Sequence, residues 1–412
     1  MIELGRHADG VGTVNDEGEV ARCFVPFALP GETVRISVQG NSAILLDVLE
    51  KSQQRIEPFC AHFTKCGGCV IQHLNEDAYR TWKRNIVVTA LVNKGLGGNS
   101  VGELIDAHGA GRRRLSLHVR AIKGGWKVGF MIAGSHQILD LDRCPVAVQD
   151  LQKVVPLARV LASAFKDTGR DLDIRFTETA EGLDCDITGA KAEGYDTLAD
   201  LADCAEEHDL ARVSVGGDII VERRKPYLVM GTARVTPPSG SFLQATTLGE
   251  ETLAELVREY VGPDCTTVAD LFCGVGSFAL RLAEQVPVYA ADSNEEAINA
   301  LDYAYRHTSD LKPVDAKDRN LFKNPLSEFE LKPFDVVVFN PPRAGAEAQV
   351  RELVTSSINR VVAVSCDPAS FARDAEILCS GGFTLDKVTP VDQFKWSSHI
   401  EVVALFTRAN SS

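Results

Sequence analysis

The sequence predicts an α/β protein of three parts: a small β-barrel, a mixed α+β region and a doubly wound parallel sheet. The chain has 412 residues, which is enough for about two or three separate cores. Short segments separated by Gly and Pro occupy its beginning, and strand-like and helix-like segments alternate in its last part. We therefore predict three domains, at residues 1–50, 51–240 and 241–412.

Residues 1–50 are predicted to form an OB-type barrel of five short strands. Gly10, Gly12 and the Pro30-Gly31 pair separate apolar segments of only a few residues, as in such barrels. OB-type barrels commonly bind oligonucleotides, whereas other small barrels bind proteins. The spacing of these segments leaves both roles open.

The overall composition predicts a cytosolic protein that does not bind nucleic acid indiscriminately. The net charge is −14, which opposes non-specific attraction to a phosphate backbone. The chain has no apolar run of about 18 residues, and its amino terminus lacks the pattern of a signal peptide. Eleven cysteines in such a chain favour metal binding or catalysis over a disulfide framework.

Two groups of basic residues depart from this acidic balance. They are Arg112, Arg113, Arg114, Arg120, Lys123 and Lys127 in one stretch, and Arg223, Arg224 and Lys225 in another. Each group is either a local surface for RNA or an ordinary solvated face, and the sequence favours neither.

Four cysteines are predicted to bind a metal centre. Cys60, Cys66 and Cys69 follow the spacing C-x5-C-x2-C, and Cys144 is followed directly by a proline. Four thiolates in a reducing compartment suit a [4Fe–4S] cluster or a tetrahedral zinc ion. The spacing alone leaves both metals open.

The middle of the chain is predicted to be α+β rather than regularly alternating. Helical spacing predicts helices at residues 75–96, 148–165 and 196–205, and apolar patterns predict strands at 114–122, 127–132 and 173–176. The residues at 236–240, Thr-Pro-Pro-Ser-Gly, are predicted to be a linker.

The last part of the chain alternates between strands and helices, which predicts a doubly wound parallel sheet. The predicted strands are 267–271, 286–290, 335–339, 361–364 and 402–406, and the predicted helices are 247–261, 278–284, 295–305 and 347–355.

The turn after the first of these strands is predicted to approach a ligand. Gly274 and Gly276 let the backbone come close to a bound molecule, and Asp292 at the end of the next strand can hold ribose hydroxyls. This G-x-G is shorter than the dinucleotide fingerprint, which disfavours a dinucleotide. S-adenosylmethionine carries no phosphate and needs no longer loop.

A thiol and a carboxylate are predicted at the same edge of this sheet. Cys366 follows the apolar run at 361–364 and precedes Pro368, so it lies at the carboxyl end of a strand, where ligands bind in such sheets. Glu401 begins the last strand and is a candidate general base. Taken separately, a buried packing cysteine and an exposed edge glutamate are the simpler interpretations.

Together these features resemble the RNA uracil-5 methyltransferase family, in particular the branch that methylates ribosomal RNA and carries an iron–sulfur cluster. The likeness covers nearly the whole chain. It rests on the four cysteines above and on five further stretches: Phe242-Leu-Gln244, Asp270-Leu-Phe272-Cys-Gly-Val-Gly-Ser277, Arg319-Asn320-Leu-Phe322, Ser365-Cys366-Asp-Pro and Asp392 to Glu401.

The resemblance implies a function and a set of site residues. Residues 1–50 would be a TRAM domain, and the cysteines would hold [4Fe–4S] rather than zinc. Cys366 would attack carbon 6 of a uracil, and Glu401 would remove the proton from carbon 5. The methyl donor S-adenosylmethionine would be held by Gln244, Phe272, Gly274, Gly276, Ser277, Asp292, Asn320 and Asn340.

The resemblance also indicates the partners. The substrate would be a uridine of 23S ribosomal RNA rather than of the tRNA T-loop. Nothing in the sequence indicates an obligate protein partner or a membrane, so we expect a cytoplasmic monomer that acts in rRNA processing.

Three stretches depart from the family pattern. Asn340 stands where the family usually has an aspartate, Asp367 where it usually has an asparagine, and Lys395-Trp396 where it usually has Pro-His. Two rival functions follow. Asn340-Pro-Pro resembles the motif of amino-group methyltransferases that act on nucleic-acid bases, and a weakened site would leave an RNA-binding protein without activity.

Overall fold

The computed structural model describes residues 1–16, 19–39, 42–165 and 171–409. The first sheet has five strands, namely β1 (Glu3–Leu4), β2 (Gly10–Asp16), β3 (Glu19–Val25), β4 (Thr33–Gln39) and β5 (Ser42–Glu50). They are ordered β1-β2-β3-β5-β4. Within these ranges β1 does not pair with β4, the pairing that would close the sheet. The OB-type barrel therefore stays a prediction for residues 1–50.

Helix α1 (Glu76–Val92) follows the cysteine-containing segment and confirms the predicted helix there. The side chain of Asn75 accepts a hydrogen bond from the Ala78 N–H and so caps the helix. Glu76 and Asp77 lie in the first turn, where the helix dipole favours acidic groups. The buried face of α1 includes one charged residue, Lys83.

The middle region forms a seven-stranded sheet against which two helices pack. In chain order its elements are β6 (Ile105–Asp106), β7 (Arg114–Ile122), β8 (Gly125–Met131), β9 (Ile138–Asp140), α2 (Val154–Ser163), β10 (Leu172–Thr179), β11 (Gly182–Thr188), α3 (Tyr195–Glu207), β12 (Leu210–Val215) and β13 (Asp218–Glu222). The order is β13-β12-β11-β10-β7-β8-β9, and β6 joins a different sheet. A 3-10 turn at Gln149–Lys153 makes α2 start later than the sequence predicts.

The last region forms an eight-stranded sheet preceded by a hairpin. The hairpin consists of β14 (Leu228–Met230) and β15 (Ala233–Val235). The remaining elements are α4 (Thr247–Val261), β16 (Val268–Leu271), α5 (Ala279–Leu282), β17 (Val288–Asp292), α6 (Glu295–Arg306), β18 (Val314–Asp318), α7 (Glu328–Leu331), β19 (Val336–Phe339), α8 (Glu347–Thr355), β20 (Arg360–Ser365), α9 (Pro368–Ser380), β21 (Thr384–Asp392) and β22 (Glu401–Thr407). In the described ranges no helix is long and apolar enough to cross a membrane.

The strand order of this sheet is β18-β17-β16-β19-β20-β22-β21-β6. The strands from β18 to β20 are parallel, and β22 runs antiparallel to both β20 and β21. The mixed α/β fold with a parallel core is therefore confirmed. Residues of β19 are buried throughout, as are those of β16 and all of β20 except Arg360, which explains the apolar runs in these strands.

The register of this sheet brings the ends of several strands to one edge. Leu271 lies opposite Ala291 on one side and Phe339 on the other, and Phe339 lies opposite Ala363. The parallel strands therefore end level with one another. Because β22 is antiparallel to β20, its first residue reaches the same edge as the last residues of β20.

A buried ion pair ties α1 to the loop at residues 393–400, which joins β21 to β22. The Lys83 side chain is 0% exposed, and its Nζ lies 2.9 Å from Asp392 Oδ1. Nζ also donates hydrogen bonds to the carbonyls of Phe394 (3.2 Å) and Ser397 (2.7 Å). The Tyr79 hydroxyl donates to Asp392 Oδ2 over 2.5 Å. The ion pair thus fixes the loop to α1 at Phe394 and Ser397.

We predict that Lys83→Ala lowers the free energy of unfolding by about 3–5 kcal/mol, because it leaves Asp392 buried without its cation. Chemical denaturation followed by circular dichroism measures the change. Lys94→Ala is the control, since Lys94 forms an exposed pair with Glu376 that contributes at most about 1 kcal/mol. Equal effects of the two substitutions would contradict the role of the buried pair.

Candidate active site at the carboxyl edge of the last sheet

Cys366 lies directly after β20, at the edge where the parallel strands end. The chain turns at once, because Asp367 caps α9 by accepting hydrogen bonds from the N–H groups of Ala369 and Ser370. Asp367 also pairs with Arg6 of the amino-terminal segment at 2.6 Å. Burial and the nearby Glu401 carboxylate raise the pKa of the half-buried Cys366 thiol to about 11.

Glu401 is the first residue of β22 and is almost completely buried, with 1% of its surface exposed. Val402 lies opposite Ser365, so Glu401 and Cys366 stand next to each other at the ends of paired strands. Burial raises the pKa of Glu401 to about 7, against the opposing effects of a hydrogen bond from Gln393 and the charge of Arg343. A group with this pKa can take up and release a proton near neutral pH.

Gln393 connects Gln244 with Glu401 and was not predicted from the sequence as a site residue. Its Nε2 donates hydrogen bonds to Gln244 Oε1 (2.5 Å) and to Glu401 Oε1 (3.2 Å). Its Oε1 accepts one from the Ala245 N–H over 2.8 Å. Gln244 is also buried. A buried amide next to two predicted site residues is visible only once the loop is folded.

The turn after β16 leaves open space beside an acidic residue. Gly274 has a φ of +55°, and within the described ranges no atom outside residues 273–275 lies within 4 Å of where its Cβ would stand. Its N–H donates to Asp292 Oδ2 over 2.9 Å. The φ of Gly276 is +94°, and a Cβ there would come within 2.8 Å of Leu301, which explains the need for glycine. The carbonyl of Ser277, in the same turn, accepts a hydrogen bond from Arg281.

Phe272, two residues before Gly274, contacts a second aromatic ring. Phe272 follows β16 in the left-handed conformation, with a φ of 60°. Its ring centroid lies 5.3 Å from that of Phe322, which is 45% exposed. Asn320 is exposed, and its side chain accepts hydrogen bonds from the N–H groups of Phe322 and Lys323. Asn320 therefore shapes the turn that carries Phe322.

Asn340 lies directly after β19, between the turn after β16 and Cys366. Its backbone N–H donates to the Leu271 carbonyl over 3.1 Å, and its side chain is half-buried. Among the residues that the structure describes, none forms a hydrogen bond with the Asn340 side-chain amide. The amide is thus available to a ligand at this edge.

The loop at 393–400 also carries an aromatic cluster. Trp396 makes edge contacts with Phe59 (4.7 Å between centroids) and His108 (5.1 Å). Lys395 pairs with Asp106 at 2.7 Å. The Trp396 carbonyl accepts a hydrogen bond from the N–H of Val70, the residue after Cys69. The Lys395-Trp396 pair therefore joins the sheet edge to the cysteine segment.

The four predicted ligand cysteines line a single cavity of about 250 Å³. Cys60, Cys66 and Cys69 come from one turn, and Cys144 comes from the segment after β9. The guanidinium of Arg112 and the backbone of Gly67 and Gly68 line the same cavity. Across the described ranges, no three His, Cys, Asp or Glu side chains are arranged so that they could hold one metal ion.

The Arg112–Arg114 stretch does not form an exposed basic surface. Arg113 is 3% exposed and pairs with Glu250 at 2.5 Å, and its Nε donates to the Gln244 carbonyl. Arg114 donates to the Ser241 carbonyl, and burial lowers its pKa to about 10. An alternation of apolar and polar residues along β7 could have revealed that Arg113 points inward.

Comparison with known proteins identifies related chains along nearly the full length. The sequence profile of the tRNA (uracil-5-)-methyltransferase family matches residues 233–409. An uncharacterized RNA methyltransferase of Brucella suis is 42% identical over 98% of this chain and 96% of its own. One from Caulobacter vibrioides is 41% identical, with 98% of each chain covered.

Two more distant relatives carry more specific names. The 23S rRNA (uracil(1939)-C(5))-methyltransferase of Shewanella halifaxensis is 28% identical over 97% of this chain and 94% of its own. The solved structure of the tRNA (uracil-54, C5)-methyltransferase of Pyrococcus abyssi matches with a TM-score of 0.73 and 24% identity. It covers 98% of this chain and 99% of its own, so the two proteins share the overall fold.

We predict that Glu401→Gln removes a pH-dependent contribution to stability. The unfolded chain ionises Glu401 near its ordinary pKa of 4.5, whereas the folded protein keeps the proton up to about pH 7. The stability contributed by this group is therefore present at low pH and lost as the pH rises through 7. Relative to that of Glu401→Gln, the free energy of unfolding of the wild type should fall by about 3 kcal/mol between pH 4.5 and pH 8.

Denaturation curves over this pH range measure the difference. Glu259→Gln, at an exposed carboxylate that pairs with Lys387, is the control and should follow the wild type. A constant difference between wild type and Glu401→Gln at every pH would show that Glu401 is not held protonated.

Proposed function

The chain belongs to the RNA (uracil-5-)-methyltransferase family, and on this basis we propose that it methylates carbon 5 of a uracil in structured RNA, with S-adenosylmethionine as the methyl donor. The observation that carries the proposal is the adjacency of Cys366 and Glu401 at the ends of the paired strands β20 and β22. The chemistry of uracil requires both groups together.

Carbon 5 of uracil is a poor nucleophile, and Cys366 makes it reactive. The thiolate forms a bond to carbon 6, and the electrons of the 5,6 double bond move into an enolate that makes carbon 5 electron-rich. S-adenosylmethionine would supply the methyl group that carbon 5 then accepts, and S-adenosylhomocysteine would leave. Glu401 removes the proton from carbon 5, the double bond forms again, and the thiolate leaves. The uracil loses one proton and gains one methyl group.

The pKa values in the site fit this sequence of proton transfers. The Cys366 thiol, with a pKa of about 11, holds its proton at neutral pH, so this proton must pass to solvent before the thiolate attacks, and the thiolate takes one back after it leaves. Glu401, with a pKa of about 7, can accept protons in its ionised form. Arg343 faces both groups and favours their charged forms. The target base must leave its stack to reach this buried pair.

We propose that the methyl donor occupies the space beside Gly274. A side chain at this position would occupy that space, and Asp292 stands where it can bind ribose hydroxyls. Phe272 and Phe322 offer two apolar faces for an adenine ring. Gln244 and Asn340 would bind the donor on the side that faces Cys366. Gly276, Ser277 and Asn320, in the turns after β16 and β18, complete the proposed donor site.

The RNA target we propose is a uridine of 23S ribosomal RNA rather than the T-loop of tRNA. The relative from Shewanella halifaxensis, which aligns along almost the whole chain, is named for a 23S rRNA uracil. Arg6 joins the amino-terminal segment to Asp367 next to the nucleophile, so an RNA-binding TRAM domain at residues 1–50 would contact RNA close to the site. The domain boundaries at residues 50 and 240 are part of the same proposal.

We propose that the cavity lined by Cys60, Cys66, Cys69 and Cys144 holds a [4Fe–4S] cluster, in which each thiolate would bind a different iron, so that no single metal ion needs three of them. The four thiols and the glycine backbone offer sulfur ligands and N–H groups, and the Gly68 N–H already donates to Cys66 Sγ over 3.4 Å. Arg112 supplies a positive charge to a site that would become negative. Methyl transfer needs no redox step, so the cluster would act as a cross-link between the cysteine segment and residue 144.

Methylation of RNA from cells that lack this protein tests the proposal. We predict new 5-methyluridine at one site of 23S RNA, mapped by mass spectrometry. Cys366→Ala should reduce it by at least about 1000-fold because the nucleophile is gone. Cys379→Ala, a half-buried cysteine near the end of α9, is the matched control and should stay active.

Other products would contradict the proposal in defined ways. A methylated tRNA uridine would keep the chemistry and change the target. An N-methylated base would favour the amino-group methyltransferase, whose motif Asn340-Pro-Pro resembles. An inactive wild type with an active Asn340→Asp variant would mean that Asn340 disables the site and that the chain binds RNA without modifying it.

We predict that protein purified without oxygen contains about four iron and four sulfide per chain. Cys60→Ser should lose most of the iron because it removes one ligand, and Cys379→Ser should keep it. Metal and sulfide analysis measures both. Zinc without sulfide would show a tetrahedral zinc site in place of the cluster. Protein that contains neither iron nor zinc would overturn the proposed metal site.

A further inference from the structure

We propose that Gln393 is a positioning residue that sets the orientation of two groups of the site at once: the Gln244 amide on the methyl-donor side and the Glu401 carboxylate on the base side. The proposal rests on the function proposed above. It goes further, because Gln393 belongs to neither the nucleophile nor the base.

The contacts of the Gln393 side chain define its orientation. Its carboxamide is 0% exposed and makes three hydrogen bonds. The Ala245 N–H can only donate, so the oxygen of Gln393 must face it, and the NH2 group must face Gln244 and Glu401. No other orientation of the amide satisfies all three partners.

This orientation is passed on to Gln244. Because Gln244 Oε1 accepts from Gln393, the NH2 group of Gln244 must point away from the loop. Arg113 holds the backbone of the same residue through the Gln244 carbonyl. Gln244 therefore presents a donor of fixed direction to the ligand space.

The same orientation of the Gln393 amide makes the two carboxylate oxygens of Glu401 different from each other. The NH2 group of Gln393 donates to Oε1, which favours the carboxylate and leaves Oε2 free to take the proton. The charged or titratable groups that face Glu401 are Arg343, from the loop after β19, and Cys366, after β20. Two groups favour the ionised form of Glu401: Arg343 acts through its charge, and Gln393 acts through a hydrogen bond from a neutral amide.

The packing around Gln393 prevents other orientations of its amide. A Cβ at Gly249, near the start of α4, would lie 2.7 Å from Gln393 Oε1 and 2.8 Å from its Cβ. The side chain therefore fills its space to van der Waals contact. On the chain, Gln393 follows directly after Asp392, which is held by Lys83. Backbone and side chain are both fixed.

Gln393→Met tests the proposal, because it keeps the size of the side chain and removes its hydrogen bonds. The matched control is Gln349→Met. Gln349 is also 0% exposed, and its hydrogen bonds go to the N–H (2.8 Å) and the carbonyl (3.0 Å) of Leu326 rather than to Gln244 or Glu401. Both variants lose a buried amide, so a purely structural effect should appear in both.

We expect Gln393→Met to move the acid limb of the pH–rate profile up by about one to two pH units, because ionised Glu401 loses its donor. The KM for S-adenosylmethionine should rise by about tenfold as Gln244 loses its fixed direction. The covalent complex between protein and RNA should accumulate at pH 7, since the base is less often ionised. Gln349→Met should show none of these changes.

Two outcomes would overturn the proposal. One is a pH–rate profile and a KM for Gln393→Met that equal those of Gln349→Met. The other concerns the case in which the wild type methylates no uracil, a result that contradicts the proposed function but does not by itself decide the role of Gln393. In that case calorimetric binding of S-adenosylhomocysteine decides: weaker binding by Gln393→Met alone supports the positioning of Gln244, and equal binding by both variants overturns it.

Discussion

The ion pair of Lys83 and Asp392 is the constraint on which the candidate site depends. Both side chains are shut off from solvent, so each would be costly without the other. Further hydrogen bonds offset this cost. Lys83 also donates to two loop carbonyls, and the Tyr79 hydroxyl donates to the second carboxylate oxygen of Asp392. The result is a loop at 393–400 fixed from the side of α1. Its first residue orients Glu401, and its middle holds the cysteine segment through Val70.

A second buried network fixes the opposite side of the site. Glu250 accepts hydrogen bonds from Arg113 of the middle region and from Arg281 of α5, and Arg113 also holds the Gln244 carbonyl. The methyl-donor side is thereby attached to the middle region, and the base side is attached to α1. Gln393 joins the two networks through Gln244 and Glu401. In this arrangement, a disturbance in either buried network reaches the reacting groups through one amide.

The sequence predicted the parts of the site that depend on local pattern. Apolar runs ending at Cys366 and Asn340 predicted parallel strands, and since such strands end at one edge, the positions of these residues followed. Several elements were not predicted, among them β9 and β11 to β15 in the middle of the chain and β18, α7, α9 and β21 in the last region. The strand β18 is largely exposed and carries charges, so it lacks an apolar signal. The alternation along β7 indicates that Arg113 points inward, but the partners of Arg113, Lys83 and Gln393 became visible only in the fold, because they lie about 130 to 310 positions away or across a loop.

The central claim is that Cys366 forms a bond to the base during methyl transfer. RNA that contains 5-fluorouridine tests it most directly, because fluorine at carbon 5 cannot leave as a proton would. Incubation with S-adenosylmethionine should trap a covalent complex, and mass spectrometry of its peptides should find the nucleotide on Cys366. RNA that is methylated by the protein without any trapped complex would contradict the claim and assign the reaction to an exocyclic amino group.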